Sequence, residues 1–337
     1  MVRHQLFHVV LLLFICGVAV ISAVAGRAYA CGDDEVKKNN NPPVVVVRNV
    51  PKNRKDSSET YTVVTSENEN WEPLRIRVST KDVNKEKYCE KVNEKRMDFF
   101  DGNNVTCSPS DPMTKEGEKT IINKILPEAI KLHTDRLRVQ RMKSPLQVPD
   151  LKNLSICSRF TIPSGHHAPG VPDADFVLYV AAGPGKIGNP LTWAVTCAVD
   201  DETKRPIVGA MNINPEHADF TRVNVRYVAH VLAHALGFDY EKMKELSMTK
   251  ESTKEGETKK RTVITSATVL KNAKDHYDCQ NLEEVRLEHT AEGQPTSHWD
   301  RGDAKDELMS VHISKGRFES MGYYTALTIA AFEDMKF

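Results

Sequence analysis

The chain predicts an α+β fold, on three observations. Short runs of β-branched and aromatic residues recur before residue 214. Two segments, 119–138 and 323–335, carry helical patterns. A third, 222–236, is a largely apolar helix with two histidines on one face. In chain order, residues 60–64 and 75–78 cluster β-branched side chains as strands do. Residues 119–138 place Ile122, Ile125, Leu126, Ile130 and Leu137 at helical spacing. Residues 176–182 and 192–199 read as strands, and 207–213 as a strand at the sheet edge. The histidine helix closes this part, and a final helix spans 323–335. No internal repeat is visible.

The chemistry concentrates in His230-Val231-Leu232-Ala233-His234. Histidines four apart sit one helical turn from each other, so both imidazoles can reach one metal ion. Metallopeptidases carry a glutamate after the first histidine, which moves the proton of zinc-bound water. Here that position is Val231, which cannot carry a proton. The bland alternative is a buried helix in which Tyr227, Val228, Val231, Leu232, Ala235 and Leu236 pack around two incidental histidines. Gly237, three residues after His234, favours the metal reading, because zincins of the metzincin type turn away from their helix on such a glycine. Short metzincins place a third histidine three residues further on; this chain has Tyr240 there. A third ligand must then come from later in the chain.

Several blocks resemble leishmanolysin, a zinc metallopeptidase family that interrupts the short motif with a long insertion. They are Ile125-Leu126-Pro127, Ala174-Asp175-Phe176-Val177-Leu178-Tyr179, Trp193-Ala194-Val195-Thr196-Cys197, Ser297-His298-Trp299, Asp306-Glu307-Leu308-Met309 and Tyr323-Tyr324-Thr325-Ala326-Leu327. The resemblance runs from about Val44 to the C-terminus. It implies a metzincin-type core with a mixed sheet, a zinc-binding helix and a Met-turn. It further implies Zn2+ held by His230, His234 and His298, with Met309 as the floor beneath the metal. An ordinary core methionine is the alternative for Met309. An edge strand would hold an extended peptide by backbone pairing. No motif surrounds His133, His166, His167, His217, His276, His289 or His312, which read as surface or loop histidines. The resemblance also pairs Cys89 with Cys107 and Cys157 with Cys197, leaving Cys279 over. On the residues alone, six cysteines beyond Cys16 allow fifteen pairings.

Composition and targeting signals set the compartment. The 337 residues carry 46 basic and 46 acidic side chains, so nothing points to a nucleic-acid partner. The mixed-charge run 250–261 reads as a solvated loop within the insertion. Arg3 and His4 precede an apolar run over 9–24, followed by Ala25, Ala28 and Ala30, as in a secretory signal. The run is shorter than the roughly 20 residues of a spanning helix. Cleavage fits after Ala25 or after Ala30, and an uncleaved signal anchor is the alternative. Secretory entry would make Asn104 and Asn153 glycosylation acceptors, against the alternative of unmodified polar loops. Cys31 is a candidate pro-segment thiol for the fourth zinc position, as in the family, or else a free thiol.

The expected organisation is a signal over 1–30, a pro-segment over 31–60, an N-terminal metzincin-like catalytic domain over 61–237, and a 238–337 segment. That last segment holds the insertion, the third zinc ligand, the Met-turn and the start of a central region. The family's C-terminal domain and lipid-anchor signal are expected to be absent, so membrane attachment by that route has no support in the sequence. Glu216, Asp239 and Glu241 lie near the motif, but none follows the first histidine. Loss of a general base costs about 10²–10⁴ in rate. Two functions are therefore carried forward. One is a leishmanolysin-like zinc metalloendopeptidase, weak or inactive, that cleaves peptide bonds with zinc-activated water. The other is a non-catalytic, zinc- and protein-binding pseudoenzyme in cell-surface adhesion. Partners are peptide or protein substrates or host surface proteins, reached by secretion or at the cell surface.

Overall fold

Residues 176–181 are apolar throughout, and in the computed structural model both faces of that run are covered. Alternation along the strand sends Phe176, Leu178 and Val180 into one core and Val177, Tyr179 and Ala181 into a second. A sheet between two cores is the architecture this pattern requires. The structure describes residues 45–47, 71–154, 156–186, 192–253, 260–310, 313–314, 317–318 and 322–336. The signal segment, Cys31, the expected strand 60–64, Ser155 of the second sequon and His312 lie outside the described residues.

The strands in chain order are β1 (Val45–Val47), β2 (Trp71–Pro73), β3 (Ile76–Asp82), β4 (Lys95–Met97), β5 (Asn104–Thr106), β6 (Arg138–Gln140), β7 (Phe176–Ala181), β8 (Trp193–Asp200) and β9 (Pro206–Asn212). A five-stranded mixed sheet has the order β1-β8-β9-β7-β3. β3, β7 and β9 run parallel, while β8 is antiparallel to β9 and parallel to β1. The expected edge strand is therefore misplaced. β9 lies inside the sheet, buried along its length, with Val208 opposite Val177 and Ala210 opposite Val195. Its Gly-Ala-Met composition reflects close packing. A Cβ on Gly209 would stand 2.6 Å from Phe176 Cζ. β1 falls within the expected pro-segment and pairs with β8 at Ala198–Asp200.

The first predicted helix begins earlier and ends sooner than its periodicity suggests. Thr114 caps α1 (Lys115–Thr120), its hydroxyl accepting from Gly117 N at 3.0 Å. A π-turn over Ile121–Ile125 follows, then α2 (Leu126–Thr134). Pro127 accounts for the wide turn. It has no N–H for the usual bond four residues back, and its ring crowds that carbonyl. Leu126 N instead reaches Ile121 O, one residue further than in an α-helix. The helix stops at Thr134 because Arg138–Gln140 pairs with β2 as a ribbon.

α3 (Arg222–Ala235) starts on Thr221, whose hydroxyl accepts from Asn224 N at 3.1 Å. Every residue from Tyr227 to Ala235 is buried, as expected of a helix apolar on all sides. It packs on β8 and β9, and Thr196 Oγ1 donates to Ala235 O at 2.9 Å. Beyond it lie α4 (Tyr240–Glu245), β10 (Thr249–Ser252), β11 (Arg261–Ile264), α5 (Ala267–His276), β12 (Val285–His289) and β13 (Pro295–Trp299). β10, β11, β12 and β13 form a second, antiparallel sheet. The run 250–261 is thus not simply loop. Its ends are paired strands, with Lys250 opposite Val263 and Ser252 opposite Arg261. The final helix, α6 (Ala326–Asp334), is shorter than the apolar run because Thr325 caps it.

A candidate metal centre

His298 lies 64 residues beyond His234, yet the imidazoles of His230, His234 and His298 meet. His230 and His234 project from one face of α3, and β13 brings in His298. His234 Nε2 lies 3.3 Å from His230 Nε2 and 3.1 Å from His298 Nε2. The His230 and His298 rings are parallel within 5°, and the His234 ring stands across both. All three are buried.

The outer nitrogens explain the orientation. His230 Nδ1 is 2.6 Å from Leu308 O, and His234 Nδ1 is 2.9 Å from Phe238 O. A carbonyl only accepts, so each neutral ring carries its proton on Nδ1 and turns the Nε2 lone pair inward. Two such lone pairs facing each other at 3.3 Å repel unless a cation lies between them. His298 Nδ1 meets Thr296 Oγ1 at 3.3 Å. The donor set of three imidazole nitrogens fits a first-row divalent ion.

Each supporting carbonyl has its own origin in the sequence. Gly237 adopts φ +109°, which a side chain resists. Gly237 N then donates to His234 O and Phe238 N to Ala233 O, closing a Schellman turn that returns the Phe238 carbonyl to His234. The 307–310 segment serves two elements. Leu308 O holds His230, while Met309 O accepts from Trp299 N at 2.9 Å, beside His298. Trp299 is held from its other end, where Nε1 donates to Thr328 Oγ1 at 3.0 Å. Thr328 Oγ1 in turn donates to Glu307 at 2.6 Å. Burial raises the Glu307 pKa, against the lowering effect of its threonine hydroxyls. Met309 is fully buried behind this turn. Tyr240, standing where a short motif would have its third histidine, donates its N–H to Ser297 Oγ at 2.9 Å. The insertion thus loops out and returns to the same place.

Comparison with known proteins agrees with this geometry. The leishmanolysin family profile matches residues 29–337. The chain is 35% identical over 272 residues to leishmanolysin of Leishmania amazonensis, covering 80% of this chain and 44% of that protein. It is 34% identical to leishmanolysin of Leishmania major over 80% of this chain and 44% of that protein. For a leishmanolysin homolog of Crithidia fasciculata the figures are 35%, 79% and 40%. The chain belongs to the leishmanolysin family. It spans a little under half the length of these relatives.

Within this leishmanolysin scaffold, Val231 follows His230 and is fully buried. Among the described residues no carboxylate joins the three histidines within 4.8 Å. Asp239 is committed elsewhere, capping α4 through Lys242 N at 2.9 Å, and Glu216 and Glu241 are exposed. Cys89 is bonded to Cys107 and Cys157 to Cys197. Cys279 is exposed and free. Asn104 and Asn153 are exposed.

Two of the remaining histidines correct the expectation of surface or loop positions, whereas His167 and His276 are exposed as expected. His133 is fully buried in α2, bonded to Ala229 O at 2.9 Å and Tyr324 Oη at 3.1 Å. Burial holds its pKa down to about 4. His217, partly buried, meets Thr192 Oγ1 at 2.9 Å and the Tyr227 ring edge-on, and burial likewise lowers it to about 4. Neither has a sequence motif. Apolar neighbours at helical spacing around His133 were the one available signal.

Proposed function

We propose that this chain is a leishmanolysin-like zinc metalloendopeptidase scaffold whose hydrolytic power is weak or absent. The observation that carries the reading is Val231 beside three convergent imidazoles. His230, His234 and His298 would hold Zn2+, leaving an open position of the catalytic type. Zinc, when bound, supplies Lewis acidity toward a peptide carbonyl and toward water. The chain's own residues do the rest. Leu308 O and Phe238 O fix the ligand tautomers, and Met309 lies beneath as the floor of a Met-turn. The substrate strand would be β8, since Trp193–Cys197 on the side away from β9 has no strand partner among the described residues. What is missing is a group to accept a proton from water and return it to the leaving amine; an isopropyl side chain does neither.

The second reading is a pseudoenzyme that binds zinc and peptide or host surface proteins in adhesion, and the same Val231 favours it. Both readings place the chain in the secretory pathway, secreted or at the cell surface. They share a signal over 1–30, a pro-segment over 31–60 that includes Cys31, a catalytic-type domain over 61–237, and glycans on Asn104 and Asn153. The described residues contain no helix long and apolar enough to cross a membrane.

The test is peptide hydrolysis by the purified chain beside Val231→Glu, with zinc content measured on both. Zinc in both and a gain of about 10²–10⁴ in the variant is the expected result. Comparable, chelator-sensitive cleavage by the unaltered chain would overturn the account of Val231. Absence of zinc from both would overturn the scaffold itself.

A further inference from the structure

A groove of about 790 Å³ lies between the β2–β6 ribbon, the β8–β9 turn and α6. Its walls are apolar, with Trp71, Leu74, Val139, Leu236 and Phe332 among them, and Arg136, Arg138, Lys336, Glu202 and Glu333 also line it. It shares no residue with the histidine cluster. Arg205 sets it apart from an ordinary apolar cleft. That side chain lines the groove but is only 5% exposed. Its Nη1 donates to Asp175 O at 2.8 Å and to Pro206 O at 3.5 Å. Nε and Nη2 make no hydrogen bond among the described residues. That edge is not sealed from solvent, so it opens onto the groove, and an anion there replaces water on a guanidinium whose remaining surface is packed in protein.

The shape of that need selects the ligand. Nε–H and Nη2–H lie parallel on one edge of the guanidinium, the fork that a carboxylate bridges with two oxygens. Arg75 uses that same edge on Asp175 in this protein, at 2.9 and 3.0 Å. Four cations and two carboxylates line the groove, an excess of positive charge that favours an anion. The walls beside it suit an alkyl chain. We propose that the groove binds an amphipathic monocarboxylate, a fatty acid, with its head on Arg205 and its chain along Trp71, Leu74, Val139 and Phe332.

The protein carries its own reporter. Of the three tryptophans, Trp193 and Trp299 are fully buried, while Trp71 is 37% exposed and lines the groove. A bromine atom quenches indole emission on contact. Titrating the full chain with 12-bromododecanoate should give saturable quenching that disappears in Trp71→Phe. 12-Bromododecanol, which lacks the carboxylate, should bind at least tenfold more weakly, and acetate, which lacks the chain, should not displace the acid. Arg205→Gln should weaken the acid about tenfold or more, with zinc content unchanged. Quenching by the alcohol as tight as by the acid, non-saturating quenching, or no quenching would overturn the proposal. If Arg205→Gln does not fold, the acid–alcohol comparison on the unaltered chain decides alone.

Discussion

Protonation of His133 should undermine this fold at mildly acidic pH, by an amount the structure lets us work out. The ring is sealed between α2, α3 and the segment before α6. Ala229 O can only accept, so Nε2 carries the proton and Nδ1 accepts from Tyr324 Oη. A second proton would enter a fully buried site, oblige the Tyr324 hydroxyl to turn, and lie near Arg136, whose guanidinium sits 5.4 Å from the Tyr324 ring centroid. Burial, more than this charge, holds the pKa at about 4, against 6.5 for a free imidazole. The folded pKa lies below the unfolded one, so the unfolded chain binds more protons between these values. Stability is full above pH 6.5 and falls as pH drops toward 4. Linkage gives a loss of about 2.5 kcal/mol between pH 7 and pH 4.5. The assay is urea unfolding at both pH values, with chelator present, for the parent and for His133→Gln, which keeps a donor but cannot charge. The variant should be the less stable at pH 7, and its deficit should shrink by about 2.5 kcal/mol at pH 4.5. A deficit independent of pH would refute the reasoning.

Further consequences follow from the centre and its supports. Gly237→Ala should cost about 1–3 kcal/mol and weaken metal binding, because φ +109° is strained for alanine and the Phe238 carbonyl would leave His234; thermal unfolding and zinc titration check both. Removing the metal with a chelator should lower the unfolding temperature of the parent but not of His298→Ala, if the convergent nitrogens are what the ion stabilises. Asp175→Ala should cost about 1–3 kcal/mol, since it removes the acceptor of the Arg75 guanidinium edge and of the Arg75 and Met142 backbone N–H groups; denaturant midpoints measure it.

Local rules read well from this chain wherever one element sufficed. The helix carrying His230 and His234, the turn on Gly237 and the buried strand at 176–181 each follow from spacing, a glycine or an apolar run. The bounds of α2 were less legible, because Pro127 widens the helix and β2 claims residues 138–140. The position of β9 was not legible at all. A strand's place in a sheet depends on which strands flank it, and nothing in its own residues distinguishes an edge from an interior when both faces are covered. His133 shows the same limit, since its partners lie 96 and 191 residues away.

The sequence by itself determined the two helical histidines, the proton carrier missing at Val231 and, by family resemblance, His298 as the third member of the set. Only the tertiary structure decided that the three Nε2 atoms meet, that Leu308 and Phe238 turn two of them inward, and that Trp193–Cys197 of β8 has no strand partner on its side away from β9 among the described residues. Periodicity and motif are properties of neighbours along the chain. Convergence of side chains 64 residues apart is set by how the insertion folds back, and its sheet and turns are stabilised by contacts with no local signature.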